Sequence, residues 1–376
     1  MTARETTILF AGGGTGGHIF PNVAIVERLR EMGVAAMPHF LVSQRSIDHQ
    51  ILAPMGFAFT ALAAQPWRVS PVDMARFTTG WFAAQRQVRS LIRTHRVAAL
   101  VATGGFVSAP AIIAAKRAGV PVALVNLDAV PGKANSRMAR HADVIFSVYD
   151  TSALLGAQRI GMPLRRLALG PDDPAEARRR LGLDPERPTL LVTGGSQGAQ
   201  LVSLAVIELL RRDSARQAMA DWQILHVCGP ANEMDMRAMH EKIGLPARVV
   251  GFCDRMGDAW RAATLAISRA GAGSVAEAWA NATPTIFFPY PGHVDEHQRL
   301  NAQPMVDTGG AVLLKDQRDP VANADAMEPV LLDLVRDPAK CETMRRQLRK
   351  HEPGDGAARM AQWLAQVQGS GFKAQS

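Results

Sequence analysis

Thr7-Ile8-Leu9-Phe10-Ala11-Gly12-Gly13-Gly14-Thr15-Gly16-Gly17-His18 decides the fold. A short apolar run passes into a glycine-rich turn. Beyond it a helix is expected to open at Pro21, with Ile25, Leu29 and Met32 at helical spacing. The unit strand, glycine loop, helix then recurs. Val97–Ala102 ends at Thr103-Gly104-Gly105, and Val120–Leu124 and Val144–Val148 have the composition of further buried strands. Gly161-Met162-Pro163 and Gly170-Pro171-Asp172-Asp173-Pro174 read as a linker. After it the pattern restarts. Thr189–Val192 precedes Gly194-Gly195-Ser196-Gln197-Gly198-Ala199, and Ile224–Val227 and Val249–Phe252 follow. Leu265–Ser268 runs into Arg269-Ala270-Gly271-Ala272-Gly273-Ser274, and Thr285–Phe288 is the next strand. Residues 338–368 have a helical pattern, and the tail 369–376 is expected to be disordered. Such alternation predicts an α/β chain of two doubly wound, Rossmann-like domains with parallel sheets. Ligands in such sheets bind outside the carboxyl ends of the strands, where every one of these glycine loops falls.

Composition narrows the class. The chain has 376 residues, 47% hydrophobic and 20% charged, which excludes global disorder and suits at least two domains. No apolar run approaches the ~18–20 residues of a membrane-spanning helix. The segment before Thr7 carries Arg4 and Glu5, and the apolar run after it is too short for a secretory signal. Cys228, Cys253 and Cys341 are odd in number and far apart, which argues for a reduced protein and against a disulfide framework or a cysteine zinc site.

Charge is unevenly distributed. Residues 1–165 hold 17 of the 42 basic and 8 of the 34 acidic residues, a balance of +9, against −1 for the remainder. No acid lies between Asp73 and Asp128, whereas Arg76, Arg86, Arg89, Arg93, Arg96, Lys116 and Arg117 do. An anionic partner of the first half, or a merely solvated basic face, accounts for this. Met74, Phe77, Trp81, Val88 and Ile92 fall near one helical stripe among these arginines, with Trp67 and Phe82 close by. The stripe suits either core or an anionic membrane interface, and Gly80 is expected to weaken a single continuous helix across it. The basic stretch has no reader motif for nucleic acid.

Glycines let backbone N–H groups approach an anion, and a following helix N-terminus favours negative charge. Gly12 to His18 lacks the Gly-Lys-Ser/Thr end of a P-loop, and Phe40 to Gln44, the expected second strand, lacks the acid of a dinucleotide site. A different diphosphate ligand remains. His18, at the loop–helix junction, is either a general base or a phosphate or helix-cap residue. Gly273 and Ser274 open a helix suited to phosphate, and Glu277, one turn on, is either a ribose ligand or a capping glutamate. His293-Val294-Asp295-Glu296-His297 matches a zinc-peptidase pattern, though no third ligand is evident.

Taken together, the motifs resemble a bacterial family, the UDP-N-acetylglucosamine–N-acetylmuramyl-(pentapeptide) pyrophosphoryl-undecaprenol N-acetylglucosamine transferases. The likeness extends from about residue 7 to 345. It rests on Gly13 to His18 with Phe20-Pro21, Gly104-Gly105-Phe106-Val107-Ser108, Met162-Pro163-Leu164-Arg165, Gly194 to Ala199, Arg269 to Glu277, and Gln298 with Asn301-Ala302. The resemblance implies a GT-B fold. An acceptor- and membrane-binding domain would span 1–165, a UDP-sugar domain 166–345, and residues 346–376 would return to the first domain, with the active site in the cleft between domains. It implies inverting transfer of N-acetylglucosamine to the C4 hydroxyl of a lipid-linked muramyl-pentapeptide diphosphate, with no metal and no cofactor. His18 would be the base, with Asp128 as a second candidate. The donor UDP-N-acetylglucosamine would meet Thr15, Gly16, Gly17, Arg165, Ser196, Gln197, Phe252, Cys253, Gly273, Ser274, Glu277, His297 and Gln298. The acceptor diphosphate would meet Gly13, Gly14, Gly104, Gly105 and Ser108. The implied location is the cytoplasmic face of the inner membrane, on an anionic surface, with a cell-wall synthesis complex as a further partner and no nucleic acid. Val125-Asn126-Leu127-Asp128 departs from the family's His-Glu-Gln-Asn, and Ala270 replaces its usual serine. Another GT-B enzyme with a different acceptor, or a non-catalytic nucleotide-sugar-binding protein, are the competing expectations.

Overall fold

The computed structural model describes residues 6–67, 69–194, 200–292 and 295–369. The chain forms two compact units, one of residues up to Arg165 and from Gly354 onward, the other Arg166–Pro353. Unit 1 holds β1 (Thr7–Gly12), β2 (Met37–Val42), β3 (Ala58–Ala61), β4 (Val97–Gly104), β5 (Val122–Asn126), β6 (Val144–Ser147) and β7 (Gln158–Arg159). Its sheet order is β3-β2-β1-β4-β5-β6-β7, and every pairing is parallel. Unit 2 holds β8 (Thr189–Thr193), β9 (Gln223–Val227), β10 (Ala247–Val250), β11 (Leu265–Ser268), β12 (Thr285–Phe287) and β13 (Ala311–Leu313). Its order, β10-β9-β8-β11-β12-β13, repeats the topology, again all parallel. In each sheet the strand order reverses beside the first strand, between β1 and β4 and between β8 and β11. That is where doubly wound sheets open a crevice for ligands.

Alternation along the strands feeds a core on each face. In unit 1, Leu9, Ala11, Leu41, Leu100, Ala102 and Leu124 pack with Val88, Ala111 and Ile112. The opposite face carries Phe10 stacked on Phe40 at 5.5 Å. In unit 2, Leu190, Val192, Ile224, Ile267 and Ile286 line one core, while Leu191, Leu225, Ala266 and Phe287 line the other. Strands buried on both faces need these near-continuous apolar runs.

Several local expectations are corrected. The first helix is Gly16–Glu31, so Pro21 lies inside it rather than at its start. Proline there supplies no N–H to the Gly17 carbonyl, so one bond of the helix ladder is missing. Met32 caps that helix and is exposed, while Ile25 and Leu29 are buried. Residues 170–174 are not a free linker. Gly170 N–H donates to Asn281 Oδ1 at 2.8 Å, and the Asp173 carboxylate caps the helix Pro174–Arg180 by accepting Ala175 N–H at 2.9 Å. β10 stops at Val250, leaving Phe252 on the loop beyond it. The helix Gly356–Gly369 packs against Gly16–Glu31, and the buried Arg28 Nε meets Asp355 Oδ2 at 2.7 Å to hold that return. The tail from 370 lies outside the described residues.

The aromatic, basic stripe resolves into two parts. One continuous helix, Pro71–Thr94, runs through Gly80. A Cβ at Gly80 would lie 2.5 Å from the Ala63 carbonyl, so glycine lets the helix press onto the 63–65 backbone instead of breaking it. Val88 is fully buried, and Leu91 and Ile92 pack on the core. Towards the other end Val72, Met74 and Phe82 are exposed, Trp67 meets Phe77 edge-on at 5.1 Å, and Phe77 meets Trp81 at 5.9 Å. Arg76, Arg86, Arg89 and Arg93 are exposed along the same helix. No helix among the described residues is long and apolar enough to cross a membrane.

Candidate active site

In unit 1 the two glycine loops leave adjacent strands at the switch point and meet at His18. Its imidazole lies against the second loop: a Cβ on Gly104 would sit 3.2 Å from His18 Cε1, and Gly104 has φ +111°, a conformation open to glycine. His18 Nδ1 is 3.0 Å from the Thr103 carbonyl oxygen. A carbonyl only accepts, so the neutral ring carries its proton on Nδ1 and presents the lone pair on Nε2. The backbone behind it is pinned. Thr103 Oγ1 donates to the His18 carbonyl at 2.7 Å, and the buried Asn22 amide donates both to that carbonyl and to Thr103 Oγ1. Burial drives the His18 pKa below its ordinary 6.5, against the opposing pull of the Asp128 charge, the Thr103 hydrogen bond and Asp48. The ring is therefore a free base at neutral pH.

Asp128 follows β5 and is partly exposed. Its backbone carbonyl accepts from Asn126 Nδ2 at 2.8 Å, and the same amide donates to Ser147 Oγ at 3.1 Å. Val125, Asn126 and Leu127 are buried. The segment that departs from the family pattern is thus interior packing, with Asp128 as its outward acid.

In the acceptor set, Ser108 and Gly14 make internal hydrogen bonds. The Ser108 hydroxyl is buried, accepts Gly104 N–H at 3.2 Å and lies 3.1 Å from the Ala11 carbonyl, so it fastens the loop. Gly14 N–H donates to both oxygens of Asp48, each at 2.9 Å. That carboxylate, fully buried, also accepts Ser43 N–H at 2.8 Å and Ser43 O–H at 2.6 Å. Gly13 packs against the same carboxylate, and Gly105 against Gly13. Asp48 and Asn22 were not anticipated. Their partners lie 34 and 81 residues away, beyond any local pattern.

The donor set is divided between the units. Thr15, Gly16 and Gly17 form the N-terminus of Gly16–Glu31, where Thr15 makes no side-chain cap. Arg165 stacks its guanidinium 3.7 Å above the Phe20 ring, also in unit 1. In unit 2 the remaining residues follow the carboxyl ends of β10, β11 and β12. Phe252 is exposed, and beside it burial raises the Cys253 pKa, keeping a neutral thiol. Gly273 and Ser274 sit in the first turn of the helix Ala272–Ala280, whose N-cap Gly271 offers no side chain. One turn on, Glu277 Oε2 accepts the indole N–H of the fully buried Trp260 at 2.9 Å. The helix His297–Asp307 begins after Glu296 at φ +47°. His297 Nδ1 lies 2.8 Å from Asp295 Oδ1, and Gln298 Oε1 accepts Tyr290 N–H at 2.9 Å, which leaves the Gln298 amide nitrogen for a ligand. Arg269 and Asn301 prove to be supports. Arg269 pairs with the buried Asp316 at 2.6 Å and donates to the Phe288 carbonyl, and Asn301 is fully buried beneath Ala270. Ser196 and Gln197 lie outside the described residues, as does His293 of the zinc-type pattern. Among the described residues no group of three or more His, Cys, Asp or Glu could hold a metal.

The glycosyltransferase family 28 N-terminal domain matches residues 8–147, and the family 28 C-terminal domain matches 189–360. The UDP-N-acetylglucosamine--N-acetylmuramyl-(pentapeptide) pyrophosphoryl-undecaprenol N-acetylglucosamine transferase of Clavibacter sepedonicus is 36% identical over 361 residues, 95% of each chain. The enzyme of the same name from Geobacter sulfurreducens is 33% identical over 346 residues, 90% of this chain and 92% of its own. A crystal structure of MurG from Acinetobacter baumannii superposes with a TM-score of 0.72 at 22% identity, covering 96% of this chain and 99% of that one. Fold and family domains define a GT-B glycosyltransferase of two doubly wound domains. Within that class, the chain belongs to the UDP-N-acetylglucosamine–N-acetylmuramyl-(pentapeptide) pyrophosphoryl-undecaprenol N-acetylglucosamine transferase family.

Proposed function

We propose that this protein transfers N-acetylglucosamine from UDP-N-acetylglucosamine to the C4 hydroxyl of undecaprenyl-diphospho-N-acetylmuramoyl-pentapeptide, the second glycosylation of peptidoglycan precursor synthesis. The carrying observation is identity above one third with enzymes of that name over nearly the whole length of both chains. In this reading the acceptor oxygen bonds to the anomeric carbon from the face opposite UDP, whose bond breaks, and configuration inverts. The hydroxyl proton passes to His18 Nε2, the lone pair left free by the Thr103 contact. Charge developing on the departing diphosphate is met by the N-terminus of Ala272–Ala280 at Gly273 and Ser274. Glu277 takes the ribose hydroxyls, Phe252 and Cys253 the uracil, and His297 and Gln298 the sugar. Asp128 biases His18 electrostatically. The test is radiolabelled transfer from UDP-N-acetylglucosamine to the lipid-linked muramyl-pentapeptide; absence of labelled disaccharide lipid with folded protein would refute it.

Trp260 has its one polar atom on Glu277, so Trp260→Phe should remove one of the contacts that orient that carboxylate. A charge-assisted hydrogen bond of this kind is consistent with a donor KM rise of about tenfold. Steady-state kinetics should show kcat and acceptor KM nearly unchanged, and a fall in kcat with donor KM constant would speak against the ribose assignment.

The protein is placed at the cytoplasmic face of the membrane by this reading, handing its product to a cell-wall synthesis complex. The exposed Val72, Met74 and Phe82, the Trp67–Phe77–Trp81 aromatics and the neighbouring arginines support an anionic lipid contact. Sedimentation with vesicles should be salt-sensitive and should weaken when Arg86, Arg89 and Arg93 are neutralised together. Equal sedimentation with neutral and anionic vesicles would exclude that contact.

A further inference from the structure

The two glycine loops of unit 1 are poorer in anion-binding groups than their sequence suggests. Gly14 N–H is committed to Asp48, and Gly104 N–H to Ser108. Burial biases His18 to its neutral form. Asp48 and Asp128 add negative charge to the surroundings. A cation at the loops would offset that charge and favour a lipid diphosphate, itself doubly negative.

Arg45 stands there. It follows β2 and is exposed. Its Nη1 donates to the Gly14 carbonyl at 3.1 Å, and its guanidinium lies 5.7 Å from the centroid of Phe106, in the second loop. Arg45 N–H donates to Ser43 Oγ, the hydroxyl that also donates to Asp48. One side chain therefore bridges both loops, with its base anchored to the buried carboxylate. Its planar fork of donors matches a diphosphate better than a point charge would.

We propose that Arg45 ligates the diphosphate of the lipid-linked acceptor, the glycine loops serving mainly to shape the approach and to seat His18. This rests on the functional reading above, whose acceptor carries that diphosphate. The test uses the full chain with acceptor in zwitterionic vesicles, so that membrane charge contributes nothing. Arg45→Ala should raise acceptor KM roughly tenfold or more, by the usual worth of a charge-assisted contact, and Arg45→Lys should recover part of it. Donor KM should stay constant, which also shows that the variants are folded. Added undecaprenyl diphosphate should compete with acceptor in the parent protein and far less in Arg45→Ala, whereas undecaprenyl monophosphate should distinguish the two proteins less. Unchanged acceptor KM, or equal inhibition of both proteins by undecaprenyl diphosphate, overturns the assignment. A parent protein that transfers no sugar overturns the functional reading instead. Direct binding of undecaprenyl diphosphate to vesicle-bound protein then decides Arg45 on its own: loss in Arg45→Ala supports it and equal binding removes it.

Discussion

Replacing His18 by alanine is expected to lower kcat by roughly 10²–10⁴-fold, the range for loss of a positioned general base. Donor KM should change little, because the ring packs on Gly104 in unit 1 and the donor contacts proposed for Glu277 and Ser274 are untouched. The pH profile supplies a signed check. A base works only when unprotonated, and burial lowers the His18 pKa from 6.5. The acidic limb of kcat/KM should therefore lie below pH 6.5, with activity falling as pH drops through it. Asp128 pulls the same pKa upward. Asp128→Asn removes that pull, so the limb should move to still lower pH while turnover near neutrality survives. If Asp128 were itself the base, the asparagine variant would lose turnover and His18→Ala would keep it.

The second large effect is structural. Asp316→Ala strands the buried Arg269 guanidinium, whose carboxylate partner it removes at 2.6 Å. Breaking one side of a buried ion pair costs about 3–5 kcal/mol. Hydrogen exchange along β11 and β12 should quicken, because Arg269 also donates to the Phe288 carbonyl at the exit of β12. The effect depends on pH in a fixed direction. Burial alone would raise the Asp316 pKa, but the Asn323 amide, the Arg318 N–H and Arg269 outweigh it and hold the group below its ordinary 3.8. A depressed pKa means stabilisation that is fully present above the unfolded value and lost as pH falls through the folded one. The difference between parent and variant should thus be largest near neutrality and shrink below about pH 4. A constant difference across that interval would show that packing, not charge, carries it.

The fold was largely legible because its central strands are buried on both faces. Leu9, Leu100, Leu124, Val192 and Ile267 sit in uninterrupted apolar runs, and glycines punctuate their ends. β3, β7 and β13 were not visible in the sequence. They are short, lie towards or at the sheet edges, and Ala58–Ala61 and Gln158–Arg159 are not buried, so no hydrophobic run marks them. Gly80 misled for a physical reason: propensity counts the glycine's cost within the helix and is blind to the Ala63 backbone it lets in. The site divides similarly. His18 and Glu277 stand in contiguous motifs, whereas Asp48, Asn22, Trp260 and Arg45 act through partners that only the folded chain brings near.

The Gly356–Gly369 helix, docked on Gly16–Glu31 through Arg28 and Asp355, changes what a protease could accomplish. A single nick between Arg165 and Arg166 would not free the leading fragment. The trailing piece would still clasp it by its far end, and the two would co-elute until denaturant or a further scission near Pro353 let go.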